Sequence, residues 1–193
     1  MARVARLTPD KCVFLVCDVQ ERFRKIIHNF GAVVVGSQRM LRASAELKIP
    51  TIVTEQYPKG LLKTVEELDV SQADVFEKTS FTMLCPAVEA RLAQLDKVTD
   101  YIVVGLEAHV CVQQTTLDLV AQGFNVHLCV DAISSSTPVD RACGLHRAER
   151  AGAFLTTTES VLMELIRSKE HPSFKAISAN LKETKVAEPL GFL

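Results

Sequence analysis

The chain has 193 residues, 48% of them hydrophobic, a length and composition that suit one domain with a sizeable core and exclude disorder. Its 22 Lys and Arg balance 23 Asp and Glu to a net charge of −1, and the cations are scattered. No basic face is available to track a phosphate backbone, so no nucleic-acid partner is expected.

The N-terminal Met1-Ala-Arg-Val-Ala-Arg6 is basic but lacks the apolar segment of a secretory signal. Val13–Cys17 is a short apolar run and reads as a strand buried on both faces. Asp18 follows at once, so it stands at the carboxyl edge of that strand. Gly31–Leu47 reads as a helix, because Val33, Met40, Leu41, Ala45 and Leu47 recur at roughly helical spacing. Thr51–Thr54 is a second strand. Val75–Lys78 mixes β-formers with charge and reads as a third, ending at Lys78. Pro86–Leu95 is helical, and Tyr101–Val104 is a strand that ends at Gly105. The helix His109–Gln122 follows, with Gly123 as its stop. Val126–Val130, helix Val139–Ala151, strand Ala153–Thr156 and helix Ser160–Arg167 continue the alternation. A last helical pattern runs from Pro172 to Leu181, and 185–193, with Pro189 and Gly191, reads as irregular. One domain is expected over 1–193, with its core at about 10–170 and the C-terminal helix and tail at 171–193.

Strand and helix in regular alternation imply an α/β fold. The expected form is a three-layer, doubly wound sandwich with a mainly parallel sheet of about six strands, in the order 3-2-1-4-5-6. In that order the winding reverses between strands one and four, where ligands bind at the carboxyl ends. Asp18 and the residues after strand four meet at that crevice. Asp18-Val-Gln-Glu-Arg-Phe23 occupies the place of a Gly-x-Gly-x-x-Gly turn, which argues against a dinucleotide site. No cofactor is expected.

Cys111 lies in the first turn of the helix after strand four. Unpaired N–H groups there carry partial positive charge and favour a thiolate, the nucleophilic form. The plain alternative is a buried core cysteine. Asp18 has its own plain reading, a turn acid or helix cap, and Lys78 that of a solvated lysine. Cys17 is expected to face away from Asp18, because strand side chains alternate. The six cysteines, Cys12, Cys17, Cys85, Cys111, Cys129 and Cys143, form no Cys-x-x-Cys pair. This spacing argues against a zinc ribbon or a disulfide framework and for a reducing compartment, cytoplasmic or mitochondrial. No apolar stretch reaches membrane-spanning length.

Four segments together resemble the isochorismatase-like cysteine hydrolase superfamily: Cys17-Asp18-Val19-Gln20-Glu21-Arg22-Phe23, Glu77-Lys78-Thr79-Ser80-Phe81, Gly105-Leu106-Glu107-Ala108-His109-Val110-Cys111-Val112 and Asp131-Ala132-Ile133-Ser134-Ser135. Thr54-Glu55-Gln56-Tyr57-Pro58-Lys59-Gly60 resembles eukaryotic isochorismatase domain-containing proteins in particular. The resemblance implies a triad in which Asp18 is the base, Lys78 the electrostatic partner and Cys111 the nucleophile. It also implies a cis peptide at Leu106–Glu107, an oxyanion hole from the backbone N–H groups of Ala108, Val110 and Cys111, and a homo-oligomer. Nicotinamidases of this superfamily bind a metal through an aspartate and histidines after strand two. Glu55–Lys63 contains no histidine, so no metal is expected. Isochorismate-cleaving members lack the nucleophilic cysteine, so the family name does not give the substrate.

Around the crevice, Gln20, Phe23, Tyr57, Phe81, Glu107 and His109 are candidate substrate contacts. Phe23 fits core packing equally well, and Glu107 and His109 fit helix capping. Ser134, Ser135 and Ser136 read as a hydrogen-bonded turn. The expected partner is a small carbonyl- or amide-type metabolite attacked by Cys111. The alternatives are a catalytically silent interaction or regulatory protein and a protein acting on nucleic acid.

Overall fold

The computed structural model describes residues 4–184 together with 190 and 191. In chain order its elements are β1 (Cys12–Cys17), α1 (Phe30–Leu47), β2 (Thr51–Gln56), the one-turn α2 (Pro58–Leu61), β3 (Asp74–Lys78), α3 (Pro86–Leu92), β4 (Asp100–Leu106), α4 (Cys111–Ala121), β5 (Asn125–Ser134), α5 (Pro138–Ala151), β6 (Phe154–Thr156), α6 (Thr158–Ile166) and α7 (Phe174–Glu183). Short 3-10 turns at Pro9–Lys11 and Glu21–Lys25 flank β1. Every strand pairing is parallel and the sheet runs β3-β2-β1-β4-β5-β6. This is the order expected from the alternation of strands and helices.

Strand alternation sorts the side chains into two cores. Phe14 and Val16 of β1 pack with Val33 and Met40 of α1 and Leu162 and Leu165 of α6. Val13, Leu15 and Cys17 enter the other core with Val88 of α3, Val112 and Leu119 of α4, and Leu145 of α5. A strand covered on both faces must be apolar throughout, which is why β1 reads as a continuous hydrophobic run. Each such side chain contributes about 1.5–3 kcal/mol on full burial. Helices α5 and α6 start where the Thr137 and Thr157 hydroxyls accept from the N–H groups of Asp140 and Ser160.

Several boundaries differ from expectation for local reasons. β5 continues past Val130 to Ser134, although Asp131 breaks the apolar run. Asp131 is accommodated because it accepts from the Thr158 N–H and hydroxyl at 2.8 and 2.6 Å and lies 3.7 Å from Arg39. Helix α3 stops at Leu92, after which Gln94 and Leu95 bond to carbonyls only three residues back. α2 and the Glu21–Lys25 turn are too short to show a period. Most of the expected irregular tail, 185–189 and 192–193, lies outside the described residues. Among the described residues no helix is long and apolar enough to cross a membrane.

Candidate active site

Asp18 stands one residue past β1, Lys78 is the last residue of β3, and Cys111 is the first of α4. β2 separates β1 from β3, so the lysine must cross it to reach the aspartate. Lys78 Nζ donates to Asp18 Oδ2 at 2.7 Å and to Gln56 Oε1 at 2.6 Å, with the Ser80 and Phe81 carbonyls at 3.2 and 3.1 Å. More acceptors than ammonium protons surround it. The Lys78 side chain is 0% exposed and that of Asp18 2%, so this is not a solvated lysine. Thr54 Oγ1 donates to the other aspartate oxygen at 2.8 Å. Burial opposes the lysine's charge, but the facing Cys17, Asp18 and Cys111 groups outweigh it and hold its pKa above the usual lysine value. Asp18 itself has φ 53°, a left-handed conformation uncommon outside Gly, Asn and Asp.

The turn that delivers Cys111 begins at Gly105, whose φ is 127°. A Cβ there would strike the backbone carbonyl and nitrogen of Cys17 on β1, so only glycine permits the close approach. The Leu106–Glu107 peptide is trans, against expectation, and the chain turns instead through Glu107 at φ 59°. The Ala108 N–H donates to the Ser134 carbonyl at 3.1 Å and the Val110 N–H to the Glu107 carbonyl at 2.9 Å. Two of the three N–H groups expected in an oxyanion hole are thus engaged within the protein. The third, on Cys111, opens α4, where anions are stabilised by the helix dipole. From behind, α5 presses on the turn through Gly144, where a Cβ would meet the Ala108 carbonyl and the His109 nitrogen.

Cys17 lies on the same side of the sheet as Cys111, not the opposite one. Its Sγ–H donates to Asp18 Oδ2 at 3.5 Å, and the nearby Cys111 helps raise its pKa. The alternation argument holds within the strand, but β1 ends at Cys17 and the left-handed Asp18 swings its carboxylate back to the same face.

The remaining candidates divide. Tyr57 lines a cavity of about 650 Å³ together with Pro58, Lys78, Ser80, Cys85 and Pro86. Phe81 is half exposed on the loop whose carbonyl anchors Lys78. Gln20 is fully buried: its amide donates to the Gln56 and Leu62 carbonyls at 3.0 and 2.7 Å and accepts from the Gln56 N–H at 2.8 Å. That side chain ties the segment after β1 to the segment after β2. Phe23 packs against the core beneath α1. Glu107 Oε2 lies 3.1 Å from His109 Nδ1 but makes no aligned hydrogen bond with it, since that nitrogen also meets Ser135 Oγ at 3.1 Å. Burial raises the Glu107 pKa, against the pull of His109 and with the push of Asp140. Ser134 donates to the His28 carbonyl at 2.5 Å, the structural role expected of that turn. Sequence reasoning missed Thr54, Gln56 and Cys85. Thr54 and Gln56 alternate along β2 toward its carboxyl end, and that period was the available signal. Among the described residues no group of three or more His, Cys, Asp or Glu side chains is arranged to hold a metal ion.

The isochorismatase domain family matches residues 12–160. Isochorismatase domain-containing protein 1 of Danio rerio is 47% identical over 93% of this chain, which spans 64% of that relative's length. The MAR1 ribonuclease structure from Caenorhabditis elegans has a TM-score of 0.88 and 41% identity, covering 97% of this chain and 99% of that one. YcaC from Escherichia coli, described as an octameric hydrolase of unknown specificity, shares the fold with a TM-score of 0.85 at 19% identity, covering 95% of each chain. The likeness to a protein called a ribonuclease removes the support that bulk charge lent to excluding nucleic acid.

Proposed function

This chain belongs to the isochorismatase domain family, and on that premise we propose that it is a cysteine hydrolase that acts on a small carbonyl- or amide-type metabolite through a thioester on Cys111. The observation that carries this reading is the buried Lys78–Asp18 pair, 2.7 Å apart, together with Cys111 in the first turn of a helix and near enough to help raise the Lys78 pKa. A thiol nucleophile needs an adjacent proton acceptor and a positive charge, and the two residues supply them. Asp18 takes the Cys111 proton as sulfur attacks the carbonyl carbon. The tetrahedral oxyanion forms against the Cys111 N–H, with Lys78 supplying positive charge nearby. As the intermediate collapses, the C–N bond breaks and Asp18 returns its proton to the leaving amine. Water, deprotonated by the freed carboxylate, then attacks the thioester carbon; the C–S bond breaks, the acid leaves and Asp18 returns the proton to the Cys111 sulfur. The cavity of about 650 Å³ reaching Lys78 suits a small substrate, with Tyr57 and Pro86 as apolar walls.

The test is covalent capture. The protein is incubated with a panel of small amides and imides, and intact mass and turnover are read for the parent and for Cys111→Ala. An acyl adduct on the parent, absent with turnover in the variant, supports the reading. Equal turnover in the variant would refute the covalent mechanism, and no adduct with any substrate would favour a silent interaction protein.

A second reading, action on RNA, is carried by the likeness to the C. elegans protein. It predicts salt-dependent RNA binding and cleavage lost in Cys111→Ala or Asp18→Asn. We further propose that the chain self-associates, as YcaC is described to do. That its six cysteines are all free fits a reducing compartment as its setting.

A further inference from the structure

Cys17 takes no part in the chemistry above, yet its thiol lies against the Asp18 carboxylate on the side of the sheet that carries Cys111. Its side chain is completely buried at the last position of β1. Its backbone is clamped by Gly105 of β4, which stands opposite it in register and has no Cβ to hold it off. From there its Sγ–H donates to Asp18 Oδ2 at 3.5 Å, and it shares its side of the core with Cys111, which contributes to raising its pKa. A valine of similar size would fill the same volume in this core of Val13, Leu15 and Val112 and would leave no polar hydrogen to satisfy.

We propose that Cys17 is a positioning residue of the site, a thiol that donates its hydrogen to the Asp18 carboxylate while Cys111 is protonated and to the Cys111 sulfur once that is a thiolate. The inference rests on Cys111 being the nucleophile. The proton balance is simple: the Cys111 proton passes to Asp18, and Cys17 keeps its own. When Asp18 is protonated, Oδ2 no longer needs the Cys17 donor, and the S–H can turn toward Cys111. The titratable groups that face Cys17 are Cys111 from α4, Asp18 beyond β1 and Lys78 from β3. Burial, the nearby Cys111 and the charge of Asp18 raise the Cys17 pKa well above the usual thiol value, and Lys78 opposes them only in part. Cys17 therefore remains a thiol, and so a donor, at neutral pH.

The two thiols divide the work by environment. Cys111 opens a helix, where an anion is stabilised. Cys17 closes a strand inside an apolar core, where an anion is not.

The test reads the nucleophile directly and needs no substrate. Alkylation of Cys111 by iodoacetamide is followed by peptide mass spectrometry across a pH series in the parent, Cys17→Val, Cys17→Ala and Cys17→Ser, with folding checked by circular dichroism. Valine fills the space and alanine leaves it open, so one donor-free variant remains if the other misfolds. Both are expected to move the Cys111 profile upward by roughly one to two pH units, the equivalent of one hydrogen bond to a charged group. At fixed neutral pH this is a loss of about tenfold or more in rate. Serine, which keeps a donor, is expected to recover most of the rate. Profiles of valine and alanine that superpose on the parent's would overturn the inference, as would serine behaving like valine. Those results leave the hydrolase reading standing. A parent Cys111 that reacts no faster than the exposed Cys143 at any pH overturns that reading, and this inference with it.

Discussion

Replacing Lys78 with methionine keeps the length of the side chain and removes its charge. Among the described residues, the Asp18 carboxylate, with its side chain 2% exposed, would then retain Thr54 and Cys17 as side-chain donors. Removing one member of a buried ion pair costs about 3–5 kcal/mol, because the survivor is left uncompensated. The exposed Arg24–Glu67 pair, with side chains 39% and 42% exposed, contributes less than about 1 kcal/mol by comparison. Against a total stability of about 5–15 kcal/mol the Lys78 loss is large. Part of it falls on the loop after β3, since the Ser80 and Phe81 carbonyls lose their donor. Urea denaturation at pH 7 of the parent, Lys78→Met, Asp18→Asn, the double variant and Arg24→Ala measures each term. The double variant should lose less than the sum of the singles, because no orphaned charge remains. The sign of the pH dependence follows from the raised Lys78 pKa. The contribution of the pair is complete below the unfolded lysine value of about 10.4 and is lost as pH rises through the higher folded value. The gap between parent and Lys78→Met therefore closes in strong alkali. If Lys78→Met lost no more than Arg24→Ala and the singles simply added, the buried-pair reasoning would be refuted.

Gly144→Ala should destabilise by about 1–3 kcal/mol, since its Cβ meets backbone atoms of Ala108 and His109 that cannot rotate away. The same strain displaces the cysteine turn, so Cys111 alkylation should slow together with the fall in melting temperature, and an unchanged melting temperature would count against that packing. Glu107→Gln should be more stable than the parent at pH 8. Burial raises the Glu107 pKa from 4.5, so the penalty for its charge grows as pH rises through the folded value and is complete above it. The difference should shrink toward pH 4, and urea midpoints at both pH values measure it. Cys111→Ala should fold normally and lose all covalent capture, read by intact mass.

The strands, their order and the crevice were legible in one dimension. β1 and β4 are buried on both faces by flanking helices, and that burial writes itself into the chain as unbroken apolar runs. Asp18 at the end of one such run, Lys78 at the end of a more mixed strand and Cys111 after the turn beyond another could be placed at one edge of the sheet without knowing any distance. The pairing of Lys78 with Asp18, 60 residues apart and across an intervening strand, was implied by the family resemblance and was not legible in spacing or periodicity. Nor was the use of Gln20 as an internal tie, whose partners are 36 and 42 residues away. Cys17 marks the limit most clearly. A period of two assigns faces only while the backbone stays extended, and one left-handed residue, Asp18, put the carboxylate and both thiols on the same side. Periodicity is local information about which face a side chain takes. Contact between ends of different strands depends on register, bulges and single φ angles, and these are set only when the whole sheet has assembled.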